Sequence, residues 1–195
     1  MLMLCIDTSY KYLSCALIED KKLLSGFNSE CFKRQSEEVF SAIDKCITEA
    51  NRNREDIDAI AISIGPGSYT GVRIALTIAK VISSIKKLDL YTISTLRLYA
   101  NNSENTLVLL NARSDRAYVG IYDKDKVIVK DCIMNISSID ASEYRVVGDG
   151  SLIGKEDYMP NISECFINNI DNLEKVGDIH HLVPVYLKEN EDYLK

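Results

Sequence analysis

Apolar and small or polar positions alternate along residues 2–6, where Leu2, Leu4 and Ile6 share one side, and apolar runs recur at 13–18 and 22–27. This pattern predicts a three-stranded meander at the start of the chain. Val39, Phe40, Ile43, Cys46, Ile47 and Ala50 then recur at helical spacing. They predict an amphipathic helix over 36–50, with Ser36 as N-cap and Glu37 and Glu38 in the first turn, where carboxylates favour the positive end of the helix dipole. Residues 57–64 are a nearly continuous β-branched run, as expected of a strand covered on both faces of a parallel or mixed sheet. After the turn Gly65-Pro66-Gly67-Ser68, the positions Val72, Ile74, Ala75, Leu76, Ile78, Ala79, Val81, Ile82 and Ile85 wrap nearly the whole circumference of a helix over 70–86. A helix apolar all round is expected to avoid water on every side, in the core or against another chain.

A strand over 90–93 follows, and the polar stretch 101–105 breaks the pattern as a connector. Strands over 106–110, 117–122 and 126–133, with a turn at 123–125, form a second meander that echoes the first. The remainder is less regular, with a helix predicted over 163–173 and an extended segment over 184–187. The expected organisation is two unequal lobes, residues 1–100 and 101–195.

Composition narrows the classes of function. The 195 residues are 46% hydrophobic, enough for a real core. A formal charge of −6 argues against a chain that grips nucleic-acid phosphates unaided, because such affinity comes chiefly from lysine and arginine. Lys33-Arg34 and Lys86-Lys87 are read as a solvated rim or a local basic patch. Cysteines at 5, 15, 31, 46, 132 and 165 have no C-x-x-C spacing and read as reduced thiols, several of them at apolar positions. No charged-then-apolar leader and no uninterrupted apolar stretch of membrane length is present, so a cytoplasmic protein with no membrane association is expected.

Candidate chemistry centres on two turns. A phosphate-cradling P-loop requires Lys and Ser or Thr after its last glycine, and Val72-Arg73 follow Gly71 instead. Gly65, Gly67 and Gly71 are one residue too widely spaced for the dinucleotide fingerprint, and no acidic residue ends the next strand. The structural alternative is that these glycines permit a tight turn and close approach of helix to sheet. Asp7-Thr8-Ser9, at the first hairpin, could hold a phosphate and its metal, or be an ordinary polar turn.

The order meander, helix, strand, GPGSYTG turn, apolar helix, strand resembles the first half of the actin and sugar-kinase superfamily, a ribonuclease H-like α/β fold of two lobes with mixed sheets flanked by helices. More narrowly, the stretches MLCIDTS at 3–9, GPGSYTGVRIALTIAK at 65–80, ISTL at 93–96, NARSDRAY at 111–118, GDG at 148–150 and PVYLK at 184–188 resemble the TsaB family, over the length of the chain. That resemblance implies a noncatalytic accessory subunit, a homologue of TsaD, which transfers a threonylcarbamoyl group to an adenine beside the tRNA anticodon. It also implies partners: TsaD in a heterodimer through first-lobe helices, TsaE in the assembled complex, a homodimer of the chain, and tRNA only through the complex.

TsaD uses a pair of histidines four apart on a helix, and the corresponding residues 94–100 contain no histidine. The chain's histidines, His180 and His181, are adjacent and read as surface residues rather than ligands. No metal, cofactor or catalytic residue is therefore expected. A nucleotide or adenylate in the cleft would be contacted by Asp7, Thr8, Ser9, Gly65, Gly67, Ser68, Gly71 and Arg113. Asn111 stands where family members commonly carry aspartate, and it cannot serve as an anionic ligand. The partner surface is expected on helices 36–50 and 70–86, at Val39, Ile43, Ile74, Ile78 and Ile82. Two other classes fit the residues: an independent ATP-dependent phosphotransferase with Asp7 as metal-water ligand, and a homodimeric scaffold for another partner.

Overall fold

A computed structural model of the chain describes residues 1–31 and 33–187. Lys188 of the PVYLK stretch lies outside the described residues, as do residues 189–195. Two sheets organise the molecule. The first contains β1 (Leu2–Asp7), β2 (Tyr12–Glu19), β3 (Lys22–Glu30), β4 (Ala59–Ser63) and β5 (Asp89–Ile93). Its spatial order is β10-β5-β4-β1-β2-β3, where β10 is Glu174–Lys175. The second contains β6 (Thr106–Asn111), β7 (Arg116–Asp123), β8 (Lys126–Asn135) and β9 (Arg145–Gly148), in the order β8-β7-β6-β9. Both sheets are mixed: β1 pairs parallel with β4 and antiparallel with β2, and β6 pairs parallel with β9 and antiparallel with β7.

Register explains how the first sheet is covered on both faces. Leu4 lies opposite Leu17 and Ile60, and Cys5 opposite Ala16 and Ala61. Because side chains alternate across a strand, the bulky set Leu2, Leu4, Ile6, Leu17, Ile60 and Ile62 faces α1 (Gln35–Glu49) and α2 (Tyr69–Lys86). The smaller set Met3, Cys5, Ala16, Ala59 and Ala61 faces α3 (Thr95–Ala100) and α4 (Ile162–Asn168). That same core takes in Val108, Leu110, Tyr118 and Tyr122 of the second sheet, so the two lobes share one continuous apolar interior. Small side chains on this face allow the helices and the second sheet to approach closely.

Several expectations need correction. Ser36 lies inside α1 and is exposed; the cap position is Arg34, which makes no side-chain capping bond, although Glu37 and Glu38 do occupy the first turn. Phe40 leaves the apolar stripe of α1 and is 59% exposed. The helix expected over 163–173 stops at Asn168, and a separate helical turn, Ile170–Asn172, follows. Segments assigned to the second lobe return to the first sheet: β10 pairs with β5, and α4 packs on β2 and β3. Gly26 makes room for that packing, since a Cβ there would lie 2.6 Å from Ser163 Oγ. Among the described residues no helix is long and apolar enough to cross a membrane.

Candidate functional site

The carboxyl ends of β1 and β4 place Asp7 and Ser63 side by side, and the hairpin and the glycine turn that follow them are joined. Asp7 is fully buried and accepts four hydrogen bonds. Its Oδ1 receives Ser9 N at 3.1 Å, Ser9 Oγ at 2.6 Å and the Ser63 hydroxyl, and its Oδ2 receives the Tyr99 hydroxyl at 2.8 Å. Thr8 Oγ1 donates to the Gly71 carbonyl at 2.7 Å and accepts from Ala75 N at 3.1 Å, pinning α2 to the hairpin. Ser68 N donates to the Ser9 carbonyl at 2.7 Å, and Ser68 Oγ caps α2 by accepting from Gly71 N at 3.2 Å.

This contact explains the glycines. A Cβ on Gly67 would lie 2.3 Å from the Ser9 carbonyl oxygen, and one on Gly71 2.2 Å from that of Thr8. Gly65 has φ +100 and exchanges backbone and side-chain bonds with Thr95 at the start of α3. The close-approach reading of the turn is the one observed. Asp7, Thr8, Ser9, Gly65, Gly67, Ser68 and Gly71 are thus brought together, but their polar groups are spent on one another. Four donors thus converge on the buried Asp7 carboxylate, three on Oδ1 and one on Oδ2, and hold it as the hub of the joined turns. Ser63 and Tyr99 belong to this cluster and were not singled out from the sequence. A serine ending an apolar strand was the available signal for the first; nothing local marks the second.

Arg113 stands on the other lobe, in the β6–β7 turn, with φ +64 and its backbone N bonded to Asn111 Oδ1 at 2.7 Å. The two lobes meet at two carboxylates of the second sheet. Asp149, just after β9, accepts from the Tyr10 hydroxyl, from Lys11 Nζ at 2.5 Å and from Asn111 N at 2.7 Å. Burial alone would lower the pKa of Lys11, but the hydrogen bond and charge of Asp149 outweigh it and hold the ammonium above its ordinary value. Tyr10 is also pushed up, by burial first and then by Asp149.

Asp131 of β8 accepts from the hydroxyls of Ser94, which caps α3, and of Tyr122. It forms one wall of a cleft of about 710 Å3, lined also by Ile93, Arg97, Leu173, Val185 and Leu187. Burial raises the Asp131 pKa above its ordinary 3.8, while the Ser94 and Tyr122 bonds and the Arg97 charge pull against that rise. A folded-state pKa above the unfolded one contributes stability that is full below the unfolded value and is lost as pH rises through the folded value. Asp131→Asn is therefore expected to steepen the upper part of the acid limb of the stability curve, read as urea midpoints between about pH 3 and 6, because the opposing contribution of Asp131 is gone. An unchanged slope would contradict this.

Of the residues expected at a partner surface, Val39 and Ile43 are core: they are 1% and 6% exposed, because the α1 stripe rests on the sheet. The inward face of α2 is Gly71, Val72, Ala75, Leu76, Ala79 and Ser83, mostly small. One flank is covered by the tail, where Lys80 Nζ donates to the carbonyls of His180 and Leu182. On the other, Ile74, Ile78 and Ile82 are half-buried against the core, and Val81 and Ile85 are 52% and 76% exposed. At 3.6 residues per turn these five form one stripe. His180 and His181 are exposed, with His181 Nδ1 2.7 Å from Asp178 Oδ2. Among the described residues no group of three His, Cys, Asp or Glu is placed to hold a metal.

Residues 22–160 match the family described as TsaD: tRNA N6-adenosine threonylcarbamoyltransferase. The chain belongs to this family. Proteins named tRNA threonylcarbamoyladenosine biosynthesis protein TsaB align over nearly the full length of the chain. That of Bacillus subtilis (strain 168) is 25% identical over 96% of this chain and 94% of its own, and that of Escherichia coli (strain K12) is 25% identical over 100% and 98%. The resemblance to TsaB read from the motifs thus extends across the chain. A solved structure, YeaZ from Pseudomonas aeruginosa, is 20% identical and shares the fold at a TM-score of 0.81 over 95% of this chain and 99% of that one. The two mixed sheets flanked by helices are the actin-like α/β architecture expected.

Proposed function

We propose that this chain is a noncatalytic subunit in the formation of N6-threonylcarbamoyladenosine on tRNA next to the anticodon, acting by binding and activating a TsaD-type catalytic subunit. The observation that carries the proposal is the apolar stripe of α2, exposed at Val81 and Ile85 and half-buried at Ile74, Ile78 and Ile82, because contiguous apolar surface on a folded chain marks a site of association. A catalytic role for the chain itself finds little support in its residues. The i, i+4 pairs on the buried side of α3 are Thr95 with Tyr99 and Leu96 with Ala100, and neither supplies the histidines such a site would need. The phosphotransferase alternative needs Asp7 to position a metal-bound water, and its oxygens are enclosed and already bonded.

The mechanism is organisational: the stripe docks on equivalent helices of the catalytic subunit and holds it in its productive arrangement, TsaE joins the assembled pair, and tRNA is met through the complex. A second copy of the chain competes for the same face. The cytoplasm is the setting. Threonylcarbamoyl incorporation into tRNA tests the reading, with the adenylate, the cognate TsaD and TsaE, and ATP supplied, with and without this chain. Incorporation is expected to require it. Incorporation at the same rate without it, or ATP turnover by the chain alone, would overturn the proposal.

A further inference from the structure

Between the lobes, the donors around Asp149 have the composition of an anion site. One is an ammonium, Lys11 Nζ; one is a backbone N–H, that of Asn111; one is the Tyr10 hydroxyl. Hydrogen bonds from charged and backbone donors to a carboxylate are among the strong ones, and three converge here on a side chain that is 5% exposed. The backbone segments that carry the donors are held independently of Asp149. Gln35 Nε2 donates to the Tyr10 carbonyl at 2.9 Å, Cys31 N donates to the Lys11 carbonyl at 2.9 Å, and the end of β6 is held by its pairing with β7. Asp149 is set in place by its own backbone: Asp149 N donates to the Leu109 carbonyl at 2.8 Å. Gly148, with φ +106, makes the approach to Leu109 possible, since a Cβ there would lie 2.0 Å from that carbonyl oxygen.

We infer that the contact between the two lobes contains a preformed oxyanion site whose occupant is the chain's own Asp149 carboxylate, which excludes external anions and locks the two sheets together. The carboxylate follows β9 of the second sheet, and two of its three donors come from the hairpin of the first, so the contact joins the two lobes. Asp157 and Glu30 add negative charge around Lys11. A vacated site would therefore favour a small monoanion such as formate over a phosphate dianion. This inference is independent of the assembly role proposed above.

Asp149→Ala leaves a cavity where the Lys11, Tyr10 and Asn111 donors converge, and its thermal midpoint should fall by about 5 °C. Formate at tens of millimolar should restore a substantial part of that loss in Asp149→Ala, while leaving the wild type and the double variant Lys11→Met with Asp149→Ala unmoved. Amide exchange at residues 9–12 and 109–113 should speed up in Asp149→Ala and slow again with formate. If Asp149→Ala does not accumulate as folded protein, its refolding yield from urea with and without formate gives the same reading. Equal shifts by formate in wild type and variant, or no rescue of midpoint, exchange or yield, would overturn the inference.

Discussion

Asp7→Ala is expected to lose about 4 kcal/mol of folding stability, because it strands buried donors rather than removing a free ligand. Ser9 N, Ser9 Oγ, the Ser63 hydroxyl and the Tyr99 hydroxyl all point at the Asp7 carboxylate in a fully buried setting. Removing it leaves them neither water nor a partner, and it loosens the hairpin on which Gly67 and Gly71 rest. Asp7→Asn keeps one acceptor oxygen for the three donors on Oδ1 and should lose less. Urea unfolding of the unliganded protein reads the difference. Were Asp7 kept for a metal or a phosphate instead, its removal would leave the stability of the unliganded chain nearly unchanged, so a small effect would refute the structural role assigned here.

Val81→Glu and Ile85→Asp are expected to weaken association with the catalytic subunit on the order of 100-fold while leaving the fold intact. Both side chains are more than half exposed at 52% and 76%, so a carboxylate there stays hydrated in the free chain and is desolvated only in a complex. Ile78 and Ile82 are poorer probes, because each is half-buried against the core below α2 and a charge there would also disturb folding. Sizing chromatography of mixtures, with circular dichroism of the free variants as control, distinguishes the two effects. A complex that survives both substitutions with unchanged affinity would remove α2 from the partner surface.

The regular elements were legible because their signals are local. Alternation over 2–6, the apolar run over 13–18 and the helical spacing of Val39, Ile43, Cys46 and Ile47 are local signals, and the elements appear where they place them. β9 and β10 were not legible, since four residues and two residues are too short to show a period and exist only because β6 and β5 offer free edges. The Ser36 cap failed for a similar reason: α1 begins at Gln35, whose side chain is drawn to the Tyr10 carbonyl, and that bond is invisible along the chain.

By itself, then, the order of residues determined the two meanders, the helices α1 and α2, the tight glycine turn and the family motifs, all of which rest on near neighbours along the chain; α3 and the true end of α4 were not among them. Tertiary structure decided which polar groups are free. Asp7-Thr8-Ser9 and GPGSYTG look like ligand loops separately and become a closed hydrogen-bonded unit only when β1 and β4 lie side by side. It decided the orientation of α2 as well. An all-apolar helix carries no pattern to say which side is inward, and the selection came from size: Gly71, Ala75 and Ala79 can approach a sheet bearing Leu4, Ile60 and Ile62, whereas Val81 and Ile85 are left facing outward.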